Sequence, residues 1–362
     1  MGKILRRLFI VLFIILFFSS FALLPDAEGF QLHNVKVLDQ NMYLGAELEP
    51  LFTDPSAIPF VLGEIMASNY PARAEAFARM IKLLKPDVVC LQEAFIFQIL
   101  VPVGSGLVPL PEFDWDFKQL LLGFLGGDYY EVVTNQLFGI TAPIDASTYV
   151  RIQDQDVILA QKDVIKVGMP KTFIFRTLLS LPLALPPDYV PVETEIPRGL
   201  STARLRIRGA EYLIANTHLE AYDDPVDEPL RMAQAKEVVK KLNGKAKPII
   251  LAGDFNALPD GPAYNVITDE FDDAWLRRII GRSDPGFTFG RDDLISDDAV
   301  FDERIDFVFT RNRYTITLAA LTLGKTEFSK TVPVPYPTLD DPQVQLWPSD
   351  HLGLFFALIF LR

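Results

Sequence analysis

The residues of this chain that could do chemistry together are Glu93, His218, Asp254, Asn256, Asp306, Asp350 and His351. Each sits at or beside the end of a short apolar run: LKPDVVCLQE, EYLIANTHLE, PIILAGDFN, RIDFVFT and WPSDHLGLFFALI. Runs of this length, rich in β-branched and aromatic residues, are expected to be buried strands. Only three histidines occur in the chain, and two belong to this set, whereas His33 has no comparable context. Acid, amide and imidazole groups gathered by strand ends at one sheet edge make a site for a divalent cation and a phosphate.

Each residue has its own chemistry. Glu93 follows a buried strand directly, where a carboxylate meets solvent and offers the oxygens that hard cations such as Mg²⁺ prefer. Asp254 and Asn256, two apart in Gly253-Asp254-Phe255-Asn256, would point the same way on extended backbone. The acid can orient or deprotonate a water and the amide can donate to a phosphoryl oxygen; the competing reading is an Asp-x-Asn turn with local capping bonds. His218 closes a strand and can bind phosphate or protonate a leaving oxygen. Asp350 and His351 are adjacent, so they face opposite ways on a strand and suit separate roles, metal binding and proton transfer. Asp306 lies among apolar neighbours in Ile305-Asp306-Phe307 and needs a partner, for which a histidine is the natural choice. For each histidine alone, a core hydrogen-bonding role competes with catalysis.

The elements that must position these groups follow from periodicity. Asn34–Asn41 alternates as a strand, and Pro71–Leu84 carries apolar residues at helical spacing with Pro71 in the first turn. Lys85-Pro86-Asp87 ends that helix before the strand DVVCLQ. The unit recurs: Leu230–Leu242 as a helix, Asn243-Gly244 as its stop, Pro248–Ala252 as the next buried strand. Further strands are expected within Arg151–Lys166 and Leu200–Thr217, the latter turning at Arg208-Gly209, and over Arg304–Thr310, Thr315–Leu321 and Leu352–Phe360. Helices before some strands and hairpins between others predict an α/β fold: two mixed sheets packed face to face, helices on the outer faces. Phe95–Gly127 and Met169–Pro197 are apolar yet rich in Pro and Gly, and are expected as loops packed over the sandwich or as a lipid- or partner-facing flap.

Composition narrows the partners. The chain has 362 residues and a net charge of −13, which on average repels polyanions and argues against stable nucleic-acid binding through Lys and Arg. An acidic metal site can still take a phosphate through its cation. Lys3, Arg6 and Arg7 precede an apolar run from Leu8 to Phe18, with small-x-small residues at Ser20-Phe21-Ala22 and a weaker site at Ala27. That is the pattern of a secretory signal over residues 1–27, or of an N-terminal anchor if retained, ahead of one catalytic domain over 33–362. Either way the folded part is expected outside the cytoplasm. Cys90 is the single cysteine, which rules out an intramolecular disulfide and reads as a small hydrophobe in its strand.

Taken in order, Gln40-Asn41, Leu91-Gln92-Glu93, Asn216-Thr217-His218, Gly253-Asp254-Phe255-Asn256, Arg304-Ile305-Asp306 and Ser349-Asp350-His351 resemble the endonuclease/exonuclease/phosphatase superfamily, the fold of deoxyribonuclease I and of bacterial sphingomyelinases. The resemblance runs from about Asn34 to the C-terminus. It implies a four-layer α/β sandwich with the site at one edge of the central sheets, and Mg²⁺ as cofactor, with Mn²⁺ or Ca²⁺ as alternatives. Asn41, Glu93 and Asp350 match metal-site positions, and Asp254 and Asn256 match positions that orient water and phosphate. His218 matches the phosphate-binding or acid histidine, and His351, paired with Asp306, the general base or transition-state stabiliser. Whether Asp254 or His351 takes the proton stays open. One departure is Asp156, in Asp156-Val157-Ile158-Leu159-Ala160, where many relatives carry glycine. The expectation is an exported phosphodiesterase acting on a phosphorylated substrate, first a membrane lipid, then nucleic acid, then a sugar or inositol phosphate, with a binding scaffold that has lost the chemistry as the last alternative.

Overall fold

The computed structural model describes residues 32–361 except 185–190, 222–226, 247, 292, 313 and 336–342. The segment expected as a signal or anchor, residues 1–27, lies outside them. In chain order the first half runs β1 (Leu32–Asn41), α1 (Glu49–Thr53), α2 (Ile58–Ala67), α3 (Tyr70–Leu84), β2 (Val88–Gln92), β3 (Ile96–Val103), β4 (Gly106–Asp116), α4 (Phe117–Leu125), β5 (Tyr129–Pro143) and β6 (Tyr149–Gln161). Then come the short β7 (Ile165–Lys166) and β8 (Lys171–Ile174), a ribbon of β9 (Leu179–Ala184) and β10 (Pro191–Ile196), and the hairpin β11 (Gly199–Ile207) and β12 (Ala210–His218). The remainder is α5 (Asp227–Leu242), β13 (Ile249–Asp254), α6 (Pro262–Thr268), β14 (Asp272–Asp273), β15 (Arg278–Ile280), β16 (Asp306–Arg311), β17 (Thr315–Leu323), β18 (Val334–Pro335), β19 (Gln343–Val344) and β20 (Gly353–Leu361).

Two mixed sheets form the centre. One has the order β15-β17-β20-β1-β2-β6-β3-β4 with β5 also on β6, the other β14-β16-β13-β12-β11-β7 with β8 also on β11. The apolar runs make sense of this. Along β2, Val88 and Cys90 enter the core between the sheets while Val89 and Leu91 enter a second core beneath α2, α3 and α4. On β13, Ile250 and Ala252 likewise face inward, while Ile249 and Leu251 pack under α5 and α6. A strand buried on both faces must be apolar throughout, which is why these read as unbroken runs. The result is the expected four-layer sandwich.

Phe95–Gly127 and Met169–Pro197 are not the loops expected from their Pro and Gly content. The first is the β3–β4 hairpin followed by α4, and the described part of the second is β8 with the β9–β10 ribbon. Proline removes a ladder donor and is tolerated at sheet edges. β4, carrying Pro109 and Pro111, is the outermost strand of its sheet, and Pro182 and Pro191 lie in a two-stranded ribbon. Among the described residues, no helix is long and apolar enough to cross a membrane.

Candidate active site at the edge of the two sheets

The topology brings the chemical residues to one edge. β1 and β2 run parallel, as do β12 and β13, so their C-terminal ends point the same way; β20 is antiparallel to β1 and β16 to β13, so both start at that edge. Asn41, His218 and Asp254 are the last residues of β1, β12 and β13, Glu93 follows β2, Asp306 opens β16, and His351 precedes β20. The backbone is strained there. Tyr43, Glu93 and Asn256 all adopt left-handed φ values, at 57°, 52° and 46°. Such conformations cost free energy in non-glycine residues and persist only where the surroundings enforce them. At Gly253, with φ 153°, a Cβ would stand 2.0 Å from the Thr217 carbonyl oxygen, so no other residue lets β13 lie against β12.

Asn41 stitches the two sheets together. Its amide nitrogen donates to Glu93 Oε1 at 3.1 Å and to Asp254 Oδ2 at 3.0 Å, and its Oδ1 accepts from the Tyr43 N–H at 2.9 Å. The Leu44 N–H donates to Glu93 Oε2 at 3.3 Å. Asp350 joins through Ser349, whose hydroxyl lies 2.8 Å from the Asn41 carbonyl and 3.1 Å from Asp350 Oδ1. Asp350 and His351 lie in a bend and not in a strand: the His351 N–H donates to Asp350 Oδ1 at 2.9 Å. His351 Nδ1 is 2.9 Å from Asp306 Oδ2 and Nε2 is 3.7 Å from Asp254 Oδ2, while Phe289 packs on the ring at 4.9 Å. The Asp306–histidine partnership expected from sequence is therefore present.

Asn256 departs from the extended geometry expected of it. The Asp-x-Asn turn forms, with the Asn256 N–H donating to Asp254 Oδ1 at 2.9 Å. That turn swings the Asn256 amide nitrogen to 3.1 Å from His218 Nε2. The capping bond and the functional placement are thus one arrangement. His218 Nε2 is 3.7 Å from Asp254 Oδ2, and Arg198 Nη1 lies 2.9 Å from His218 Nδ1.

Charge is crowded here. Asp254 and Asp306 are register partners across β13 and β16, an arrangement that destabilises like charges unless something intervenes. Burial, then the nearby Asp306 carboxylate, push Asp254 up to about 7, with His351 and the Asn41 bond pulling back. Burial would lower the His351 pKa, but Asp306, Asp350 and Asp254 outweigh it and hold the ring's proton well above the usual range. His218 goes the other way, driven well below the usual range by burial and then by the Arg198 charge. Burial lifts Asp350 to about 6; His351 eases this and Glu93 adds to it.

Sequence reasoning missed two arginines and Asp154, the neighbour of the Asp156 already marked as a departure. Arg73 of α3 is fully buried and donates to the carbonyls of Pro348 at 3.1 Å, of Met42 at 2.6 Å, and of Tyr43. It ties the loop after β1 to the loop before β20, and so sets where Asn41 and Asp350 meet. The signal was its spacing, one turn before Phe77 on the apolar face. Arg198 carried no such signal. Asp156, at the expected glycine position, is fully buried with both oxygens lacking a hydrogen-bond partner among the described residues. Burial, then Asp154, raise its pKa far above the usual range, while Asp154 itself is lifted to about 7, first by burial.

These groups fit a hard cation. Asn41, Glu93 and Asp350 offer oxygen ligands on one side, and a cation there would relieve the Asp350 carboxyl that Glu93 and burial disfavour. Asp254, Asp306 and His351 bring ligand atoms within 4.8 Å of one another. In that trio one imidazole faces two carboxylates, so negative charge is left there too for a cation to match.

Comparison with known proteins agrees with this geometry. A family profile described as the Endonuclease/Exonuclease/phosphatase family matches residues 61–351. No curated protein matches the chain. Among solved structures, an endonuclease/exonuclease/phosphatase family protein from Bacteroides thetaiotaomicron is 19% identical with a TM-score of 0.54, covering 92% of this chain and 97% of that one. A mannosyl-6-phosphatase from B. thetaiotaomicron VPI-5482 is 18% identical with a TM-score of 0.53, covering 90% of this chain and all of that one (100%). D. rerio TDP2 complexed with a single-strand DNA product is 17% identical with a TM-score of 0.51, over 90% and 98% of the two chains. At these identities the structures share the fold. With the profile spanning most of the described residues, the chain belongs to the endonuclease/exonuclease/phosphatase family, whose members hydrolyse phosphoester bonds.

Proposed function

We propose that the protein is an exported, Mg²⁺-dependent phosphodiesterase whose substrate is a membrane lipid of the sphingomyelin or phospholipid type. The observation that carries the substrate class is the β3–β4 hairpin. Ile96 pairs with Gln153 of β6, level with the catalytic edge, and Leu100 pairs with Tyr149, farther out than β2 reaches. The hairpin therefore runs outward past Glu93, and at about 3.3 Å per residue its tip stands ~23 Å beyond Ile96. Residues 96–111 carry no charge. Val103 and Val108 near the tip are 59% and 46% exposed. An uncharged, apolar projection on the substrate side of an acidic protein suits insertion among lipids. Arg73, Arg198 and Arg291, buried cations around the site, are already engaged by carbonyls and carboxylates, so none supports tracking of a nucleic-acid backbone.

Asn41, Glu93 and Asp350 would hold the cation. When bound, it polarises a phosphoryl oxygen and stabilises the leaving oxygen. Asp254 is held by Asn41 between the two imidazoles, where it can orient a water and accept its proton. Of the two candidates for the base it is the better, because His351, among three carboxylates, keeps its proton and faces the phosphate as a cation. Asp306 fixes that ring. Asn256 and His218 line the opposite side and can donate to a non-bridging oxygen.

The test is a substrate panel with Mg²⁺: sphingomyelin and phosphatidylcholine vesicles, plasmid DNA, and mannose and inositol phosphates. Phosphocholine release from vesicles is expected, and Val103→Asp with Val108→Asp should abolish it while sparing a soluble phosphodiester. Faster turnover of DNA or of a sugar phosphate would overturn the lipid reading. Undiminished activity in both Glu93→Ala and His351→Ala would overturn the site itself.

A further inference from the structure

We propose that Arg198 is a positioning residue that locks His218 in the tautomer with its proton on Nε2, making it a fixed hydrogen-bond donor toward the substrate phosphate. The inference deepens the phosphoester reading, and it also stands on geometry alone. Arg198 precedes Gly199, which is paired in register with His218, so its side chain starts across the ladder from the imidazole. Nη1 lies 2.9 Å from His218 Nδ1. A guanidinium has five donors, no acceptor, and does not deprotonate in proteins. The only way for Nδ1 to meet it is with a lone pair. The ring's proton must then sit on Nε2, the atom that faces Asp254 at 3.7 Å and the Asn256 amide at 3.1 Å.

The Asn256 contact places an amide nitrogen on that same Nε2, which would set two donors face to face. The amide nitrogen is satisfied by donating to the Leu219 carbonyl at 3.1 Å and need not donate to the ring, whereas the guanidinium cannot become an acceptor. Arg198 therefore decides the tautomer. The arginine is itself anchored from behind. Nη2 is 3.5 Å from Glu220 Oε1 and Nη1 is 3.8 Å from Asp154 Oδ2. Glu220 is in turn held by Gln234, which accepts its N–H at 2.9 Å, and by Arg231, which donates to its carbonyl at 3.3 Å. The buried carboxylates behind the site thus hold in place a cation whose far end fixes an imidazole.

With three histidines in the chain, a long-range ¹H–¹⁵N spectrum of the histidine-labelled protein reads each ring directly, and His218→Asn assigns the signal. The expected wild-type pattern is an unprotonated Nδ1 and a protonated Nε2 at His218, without substrate or cation. A protonated Nδ1 would overturn the proposal, and this outcome leaves the lipid-hydrolase reading untouched. In Arg198→Met the fixed pattern should give way to mixed tautomers, with kcat lower by about 10- to 100-fold and KM little changed. In Arg198→Lys, which keeps a donor, the Nε2–H pattern should return along with part of the activity. Unchanged tautomer in Arg198→Met would show the arginine to be structural only. Should that variant fail to fold, the wild-type spectrum still decides.

Discussion

His351 and His218 stand on either side of one carboxylate, each with Nε2 3.7 Å from Asp254 Oδ2, yet their surroundings drive them to opposite charge states. Behind His351 is a carboxylate, Asp306, at 2.9 Å; behind His218 is a guanidinium, Arg198, at the same 2.9 Å. Burial weakens the charged form of both rings, so the sign of the group behind each one decides the outcome. Under the proposed function these two states suit two roles, a cation and a neutral donor. Environments that separate two pKa values in this way are how a site assigns its acid and its hydrogen-bond donors.

The comparison can be broken most severely at Asp306. Asp306→Asn keeps the shape but removes the charge that holds the His351 proton, and kcat/KM should fall about 10³- to 10⁴-fold with the fold retained. A loss under tenfold would mean that His351 does not work as a cation. Glu93→Gln strikes the cation side and leaves both imidazoles as they are. Calorimetry should then show Mg²⁺ affinity weakened by roughly 10- to 100-fold, whereas unaltered affinity would place the ion elsewhere. Melting curves from pH 5 to pH 9 without divalent cations sharpen the contrast. The folded His351 pKa is raised, so its contribution is fully present below about pH 6.5 and fades as pH rises through the folded value. The folded His218 pKa is lowered, so the unfolded chain takes the extra proton and this ring costs stability below about pH 6.5. His351→Gln should accordingly lose most Tm at low pH, and His218→Gln should gain there relative to high pH; parallel shifts would refute the opposition. Smallest of all, Phe289→Leu loosens the packing on His351 without touching Asp306, and should lower kcat by no more than about threefold.

Much of this site was legible in the chain because strand ends are local. Glu93, His218, Asp254 and Asp306 close or open apolar runs, and a histidine partner for Asp306 followed from a carboxylate that could not be left alone in a core; Asn41, and His351 as that partner, came from the family resemblance. The layers were legible for the same reason, since strands buried on both faces cannot hide their hydrophobicity. What stayed hidden depends on distant partners. Pro109, Pro111, Pro182 and Pro191 read as breakers until the position of their strands at an edge or in a ribbon is known. Arg198, in Pro197-Arg198-Gly199, looks like a loop cation, and its meaning comes from Asp154, Glu220 and His218, brought to it by other elements. Asn256 reaches the edge through a backbone geometry other than the extended one expected, because a left-handed φ at a non-glycine residue leaves no trace in spacing.

The pairing of β1 with both β2 and β20 has a cost during synthesis. Residues 32–39 wait for residues 354–361 before the central sheet gains its neighbour on that side, and His351 arrives just ahead of that strand. A polypeptide cut short before that strand would show the unpaired backbone edge of β1 to every other unfinished copy. Partial products that lack this strand should therefore clump and be degraded rather than survive as harmless fragments.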